Sequence, residues 1–95
     1  MLRIEHVLIS DKVAAKLERK HHLTDVEVRE ALTSRTYPRV VRRFKGKVLY
    51  QVYGRAENGR YILCLMRNLG HGWVRVITAW QMEEKHKRYY WSQIS

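Results

Sequence analysis

The chain has little of several residue types, and each shortage excludes something. Only one of its 95 residues is cysteine, Cys64, and only one is proline, Pro38. A single cysteine excludes a disulfide within the chain, and its place in an apolar run favours a buried, inert thiol. One phenylalanine stands against six tyrosines and three tryptophans. Most aromatic rings therefore carry a polar group, which suits an interface or a stacked base.

Acidic residues are scarce as well. Nine Asp and Glu stand against nineteen Lys and Arg, which gives a formal net charge of +10 and a pI near 10.2. In so small a domain this imbalance is the electrostatic footprint of a chain that meets phosphate. Two alternatives fit the same composition: a basic surface without a binding role, and a basic patch that docks an acidic protein.

Long apolar runs and ligand motifs are missing too. No run can cross a bilayer, and the amino terminus lacks the charged, apolar and small-residue order of a signal peptide, so we expect a cytoplasmic protein without membrane contact. The five histidines show no HExxH, CxxC or related spacing, so the sequence predicts no metal and no cofactor. The length allows one domain, residues 1–95, with a modest core.

The amino-terminal third predicts a short edge strand or a packed arm over residues 2–9, followed by two helices. Apolar residues at helical spacing predict a basic amphipathic helix over residues 11–21. Thr24 and Glu27 form a T-x-x-E capping box that begins a second helix, which ends near Thr33. A link of about two residues forces the two helices into a compact pair.

After Pro38 the pattern changes to strands. The predicted strands are residues 40–44, 48–53, 61–66 and 73–80, separated by short glycine-containing turns. Such short connections require antiparallel hairpins. From Met82 onward the residues predict a closing helix that packs through Met82, Tyr89 and Ile94. The predicted fold class is α+β: a helical pair packed on an antiparallel sheet of about four strands, with a closing C-terminal helix.

Three segments follow one another in an informative order. They are Glu18-Arg19-Lys20-His21 with the helix from Thr24 to Leu32, Tyr53-Gly54-Arg55 with Gly59-Arg60-Tyr61, and Arg75-Val76-Ile77-Thr78-Ala79 with the basic tail to Tyr90. They are similar to a K-H-G-V/I segment, a G-R-x-x-x-G-R hairpin and an R-x-I-S/T-A-R strand end. Together they resemble the BrnT toxins, the ribonucleases of type II toxin-antitoxin pairs with a RelE-like fold.

The resemblance implies a toxin that cleaves RNA, namely mRNA free or on the ribosome, and arrests translation without a metal. It also implies a cognate antitoxin that covers the basic site and assembles with the toxin as a heterotetramer. Two positions depart from the family pattern. Trp80 replaces an arginine and offers a stacking face, and His86 replaces a glutamate and adds a proton shuttle near neutral pH. Either change can mark an altered or an inactive site.

Basic, imidazole and phenolic side chains are the candidates for chemistry, because they bind phosphate oxygens and exchange protons with a ribose hydroxyl. The catalytic candidates are His21, Arg55, Arg75, Thr78, His86, Arg88 and Tyr90, and the RNA-binding candidates are Lys12, Lys20, Arg60, Trp80 and Lys85. His86 or His21 is the expected base, and the arginines stabilise the transition state. Tyr90, rather than Tyr89, is the expected functional phenol.

Several alternatives stay open at this point. His21 equally suits a helix cap, and Arg55 suits a solvated hairpin tip. Strict alternation along the last strand puts Arg75 on one face and Thr78 and Trp80 on the other. Either the site lies at the strand end, or Arg75 holds structure while the others act. Two other functions compete with cleavage: a non-enzymatic, ParE-like inhibitor of DNA gyrase, and an RNA-binding module without chemistry.

Overall fold

The computed structural model describes residues 3–34, 37–44 and 47–94; for residues 37–44 and 47 the description covers the backbone. Its elements, in chain order, are β1 (His6–Leu8), α1 (Asp11–His21), α2 (Asp25–Thr33), β2 (Tyr37–Phe44), β3 (Lys47–Arg55), β4 (Tyr61–Gly70), β5 (Trp73–Gln81) and α3 (Glu84–Ile94). The predicted order of helical pair, strands and closing helix is confirmed. In this part of the chain, no helix combines the length and the apolar character that crossing a membrane requires.

The described strands form one sheet in the order β1-β5-β4-β3-β2. Neighbours among β2 to β5 are antiparallel, as the short turns predict. The three-residue β1 adds a parallel edge, with His6 opposite Trp73 and Leu8 opposite Arg75. The edge-strand interpretation of residues 2–9 is therefore confirmed over three of those residues, and the sheet is mixed, with five strands instead of about four. A segment of three residues carries too little sequence pattern to predict which strand it pairs with, or whether the pairing is parallel.

The two amino-terminal helices begin at side-chain caps. Ser10 accepts a hydrogen bond from the Val13 backbone N–H at 3.1 Å, which satisfies an otherwise unpaired donor of α1. Thr24 and Glu27 form both bonds of the predicted capping box at the start of α2. Between the helices, His22 takes a left-handed conformation with φ 54°. This single residue redirects the chain, so the pair is compact, as predicted.

The helical pair packs on one face of the sheet and encloses the larger hydrophobic core. Its buried members are Leu17, Leu23, Val28, Ala31 and Leu32 from the helical region, and Val52, Ala56, Ile62, Cys64, Met66, Val74, Val76 and Ala79 from the strands and their connection. The predicted buried thiol is confirmed, since Cys64 is 1% exposed. Burial raises the pKa of this thiol far above its ordinary range, which makes it unreactive.

α3 packs on the opposite face of the sheet and closes a second, smaller core. This core holds Tyr53, Leu63, Met82, Tyr90 and Ile94. The predicted packing of Met82 and Ile94 is confirmed, and Tyr89 packs partly buried against this core. The prediction is wrong in leaving out Tyr90, which is 2% exposed. Met82 precedes α3, so helical spacing counted from Met82 predicts the wrong buried face for this helix. Tyr90 lies four residues before the buried Ile94 and therefore shares its face.

A buried carboxylate connects the helical pair to the β3–β4 loop. Glu27 accepts hydrogen bonds from the Thr24 backbone at 3.0 Å and from Asn58 Nδ2 at 2.7 Å, and it lies 3.3 Å from Arg60 Nη1. The Thr24 backbone bond contributes most to holding the pKa of Glu27 below its ordinary range, and Asn58 and Arg60 add to the shift against the cost of burial. The capping box is thus also a tertiary contact.

We expect Glu27→Gln to lower the free energy of unfolding by about 1.5 kcal/mol at neutral pH, because hydrogen bonds to a charged group are lost. A lowered folded pKa gives stability that is present above the unfolded pKa and lost as pH falls through the folded pKa. The difference from the wild type should therefore shrink below about pH 4.3. Urea unfolding at several pH values measures it, with the exposed Glu18→Gln as control. A difference that does not change with pH would contradict the role of the charge.

Candidate nucleic-acid interface

A β-bulge in β5 changes which of its residues share a face. Leu65 of β4 pairs with Thr78, but the next residue, Met66, pairs with Val76. Ile77 is therefore an extra residue without a partner in β4. One extra residue reverses the alternation of all the side chains that follow it.

Because of this bulge, Arg75, Thr78 and Trp80 lie on the same face of the sheet. Val76 and Ala79 both belong to the core beneath the helical pair, although they are three residues apart. Trp80 instead packs against the core beneath α3. The strict alternation assumed from the sequence is thus wrong beyond Ile77. Arg75 and Thr78 are able to contact one ligand.

α3 covers only one end of this face. The rows of directly opposite residues, from the covered end outward, are Tyr53–Leu63–Trp80, Gln51–Leu65–Thr78 and Leu49–Arg67–Arg75. Side chains of the last two rows are all partly or fully exposed. We call these six residues, Leu49, Gln51, Leu65, Arg67, Arg75 and Thr78, the open sheet face.

Two arginines stand directly opposite each other on the open sheet face. Arg67 and Arg75 are partners in the β4–β5 ladder, an arrangement that is unfavourable by itself because like charges repel. Among the described residues, neither has a carboxylate within ion-pair distance, and the sequences of β2 to β5 contain no Asp or Glu. The pair is therefore available to bind an anion.

Arg67 was not among the candidates that the sequence indicated. Simple antiparallel pairing across the turn at residues 69–72 places Arg67 opposite Val74. The register shift between Asn68 and Gly70 is what places Arg67 opposite Arg75. The predicted strand stopped at Met66, so the pairing was not followed that far. The signal was a cation at the end of an otherwise apolar run.

His86 lies at the border between the covered and open parts. Its Nδ1 accepts a hydrogen bond from the Glu83 backbone N–H at 3.2 Å, at the start of α3, and its ring centroid is 6.4 Å from that of Tyr53. A neutral imidazole whose Nδ1 accepts a hydrogen bond carries its proton on Nε2. In this geometry His86 offers a hydrogen-bond donor at Nε2, and the nitrogen that the expected base would use is occupied.

Tyr90, the predicted functional phenol, is buried. Its side chain lies between α3 and the sheet and is 2% exposed, so its surface offers little to a ligand from solvent. Tyr53 has the phenol nearest the open sheet face, with its hydroxyl 3.4 Å from Gln51 Oε1. Tyr53 was not among the candidates, because no sequence pattern shows that its ring lies in the core while its hydroxyl lies at the border.

Arg55 belongs to a separate cluster at the covered end of the sheet. Its Cζ lies 4.8 Å from the centroid of Tyr61, Lys87 Nζ lies 5.2 Å from the same ring, and Trp91 meets that ring edge-on at 6.1 Å. Arg67 pairs with Leu49, which lies six residues along β3 from Arg55, about 20 Å along the strand. Arg55 therefore does not join Arg75 in one site.

The remaining candidates are divided between the two sides of the molecule. Lys12, Lys20 and His21 lie on α1, which packs on the opposite face from Arg75. Arg60 donates to the His22 carbonyl oxygen at 2.7 Å besides pairing with Glu27, so it joins the structural contact described above. On α3, Lys85 lies 3.8 Å from Glu83, and Arg88 is exposed. A single pocket that gathers all the predicted cations is not formed.

Comparison with known proteins adds no further assignment. No protein-family model matches the chain, and no curated protein matches it. Within residues 3–34, 37–44 and 47–94, no group of three or more His, Cys, Asp or Glu side chains is placed to hold a metal ion. The functional interpretation therefore depends on the geometry of the open sheet face.

Proposed function

We propose that this chain is a RelE-like toxin of the BrnT type that binds single-stranded RNA on the open sheet face and cleaves it. The observation that carries the proposal is the Arg67–Arg75 pair, with Thr78 beside it on the same face. Two neighbouring guanidinium groups suit the non-bridging oxygens of a phosphodiester, because each offers several directed donors. Their mutual repulsion is relieved when an anion lies between them.

In the proposed reaction, the ribose 2′-hydroxyl gives its proton to water and attacks the adjacent phosphorus, and the bond to the 5′-oxygen breaks. Arg67 and Arg75 stabilise the additional negative charge of the transition state. The leaving 5′-oxygen takes a proton from water, and His86 Nε2–H, in the orientation that the α3 geometry supports, donates a hydrogen bond that stabilises the charge on this oxygen. The products are a 2′,3′-cyclic phosphate and a free 5′-hydroxyl.

A cognate antitoxin fits the same surface. An acidic segment laid across the open sheet face would neutralise both arginines and exclude RNA in one step. We propose such a partner, in a heterotetramer, by resemblance to the toxin-antitoxin pairs. An acidic protein and RNA would therefore compete for Arg75.

A second candidate function is RNA binding without chemistry. Two observations favour it: Tyr90 is buried, and the Glu83 hydrogen bond occupies the nitrogen of His86 that a general base would use. In this alternative the open sheet face holds RNA, and arrest of translation results from occupancy alone. The third candidate function is that of a ParE-like inhibitor of DNA gyrase, and an assay must distinguish it from both RNA functions.

The deciding experiment incubates the purified chain with 5′-labelled single-stranded RNA, with and without ribosomes, and with a DNA copy of the same sequence. We expect RNA fragments ending in a 2′,3′-cyclic phosphate and no cut in DNA, which lacks the nucleophile. His86→Ala should slow cleavage about 100-fold, whereas Lys12→Ala, on the opposite side, should leave the rate unchanged.

The other outcomes separate the alternatives. RNA that is bound but stays intact under every condition supports binding without chemistry. If the chain neither binds nor cuts RNA but inhibits supercoiling by gyrase, the ParE-like function replaces both RNA functions.

A further inference from the structure

A stacked pair of rings lies at the outer end of the open sheet face. Trp73 and His6 are partners in the β1–β5 ladder, and their ring centroids are 4.3 Å apart with planes inclined by 26°. Trp73 is nevertheless 42% exposed. An indole in a folded domain is seldom so open, since burying it is favourable. The imidazole supports one side of the indole and leaves much of the rest accessible to solvent.

The ladder position on the other side of Trp73 carries no side chain. Its partner in β4 is Gly70, which has a φ of +91°, and apart from its two chain neighbours a Cβ built there meets no atom within 4 Å. Because β1 and β4 flank β5 on opposite sides, the indole has His6 on one side and open space above Gly70 on the other. This space is bounded by an aromatic face and by backbone, a shape that accepts a flat ring.

The ring pair adjoins the arginine pair. Trp73 and Arg75 are two residues apart with the buried Val74 between them, so they share a face and lie about 7 Å apart along the strand. This spacing is similar to the separation of a nucleobase from a neighbouring phosphate in a single strand. An aromatic platform beside a cationic groove is the arrangement by which proteins hold single-stranded nucleic acid.

We propose that Trp73, supported by His6, forms a stacking subsite for one nucleobase of single-stranded RNA whose adjacent phosphate is bound by Arg67 and Arg75. This inference rests on the proposed function, because it extends the same surface by one row. Stacking alone is tolerant of base identity, so the subsite raises affinity for exposed, unpaired bases and excludes bases within a duplex. The chain would then favour unpaired RNA over helical RNA.

The test separates base contacts from phosphate contacts by using two ligands. One is a labelled 2′-O-methyl oligonucleotide, which cannot be cut because its nucleophile is blocked. The other is an abasic oligonucleotide of the same length and charge. By fluorescence anisotropy, Trp73→Ala should weaken binding of the first ligand about tenfold and leave binding of the abasic ligand unchanged. Trp73→Phe, which retains a ring, should recover most of the loss.

Trp91 provides a matched control, since it is 44% exposed and lies on α3, away from this end of the sheet. Trp91→Ala should change binding of neither ligand. Arg75→Ala should weaken binding of both, because it removes a phosphate contact. Thermal unfolding of each variant shows whether it is folded, and His6→Ala, which removes only the support, should weaken base-dependent binding about threefold.

Each other outcome is decisive. If the wild type binds neither oligonucleotide, the proposed function and the subsite fail together. If Arg75→Ala weakens binding but Trp73→Ala behaves like Trp91→Ala, or weakens both ligands equally, the stacking subsite is overturned and the proposed function stands. Binding of an acidic peptide that depends on Trp73, without any dependence on bases, would assign this surface to a protein partner.

Discussion

Replacing Arg67 and Arg75 together by alanine is expected to weaken binding of single-stranded RNA by about 100-fold, because each arginine makes a charge-assisted hydrogen bond to phosphate. Growth arrest on expression should disappear with it. Each single variant should lose about tenfold. The salt dependence should also fall, with the slope of log affinity against log salt smaller by about 0.7 for each phosphate contact removed.

The same double variant should be at least as stable as the wild type. The two guanidinium groups are cross-strand partners without an ion-pair partner among the described residues, so removing them relieves a repulsion of a few tenths of a kcal/mol. Loss of binding with unchanged or increased stability marks a surface selected for its ligand rather than for folding.

Lys12→Ala with Lys20→Ala is the matched control for this experiment. It removes the same charge from α1, on the other side of the sheet. We expect less than a twofold change in affinity at physiological salt, because charges beyond about 8 Å are largely screened. An equal loss in both double variants would show that net charge, rather than the open sheet face, determines binding.

Replacing Gly54 by alanine is expected to lower the free energy of unfolding by about 3 kcal/mol or more, close to the limit that a domain of this size tolerates. A Cβ on Gly54 would lie 2.9 Å from the carbonyl carbon of Ala31 and closer still to its oxygen. That atom belongs to the backbone of α2, so no side-chain rotation relieves the clash. The helix must move away from β3, and the core between them opens.

A second glycine separates this steric effect from backbone strain. Gly70 has a φ of +91° and open space around it, so Gly70→Ala should cost only about 1 kcal/mol. Gly54 is not among the residues with positive φ, so alanine fits its backbone conformation and only the contact with α2 opposes it. Urea unfolding of both variants measures the difference. A smaller loss for Gly54→Ala than for Gly70→Ala would contradict the close packing of α2 on β3.

Local patterns predicted most of the architecture. The capping box of Thr24 and Glu27, the apolar spacing of α1 and the glycine turns each depend on residues a few positions apart, so the chain itself carries the signal. The errors occurred where the signal is not local. Three residues of β1 do not reveal a parallel partner, and the rotation of α3 depends on where that helix begins.

The candidate site was predicted in part, and the missing part has a physical cause. Arg75 and Thr78 were both named as candidates, but the sequence placed them on opposite faces. Their shared face depends on the extra residue Ile77, which no local sequence pattern indicates. Arg55 and Arg60 seemed equally suited to phosphate until their contacts with Tyr61 and Glu27 were known. A side chain's partners decide whether its charge is available.

By itself, the sequence determined that this is a strongly basic α+β domain with one inert cysteine, because charge, spacing and turn chemistry are properties of neighbouring residues. Only the tertiary structure decided where the basic charge is available to a ligand. Strand pairing across a bulge places Arg67 opposite Arg75. Packing of α1 on the opposite face of the sheet keeps His21, Lys12 and Lys20 away from this pair. Contacts between residues distant in the chain depend on register and on which face is covered, and a single residue changes both.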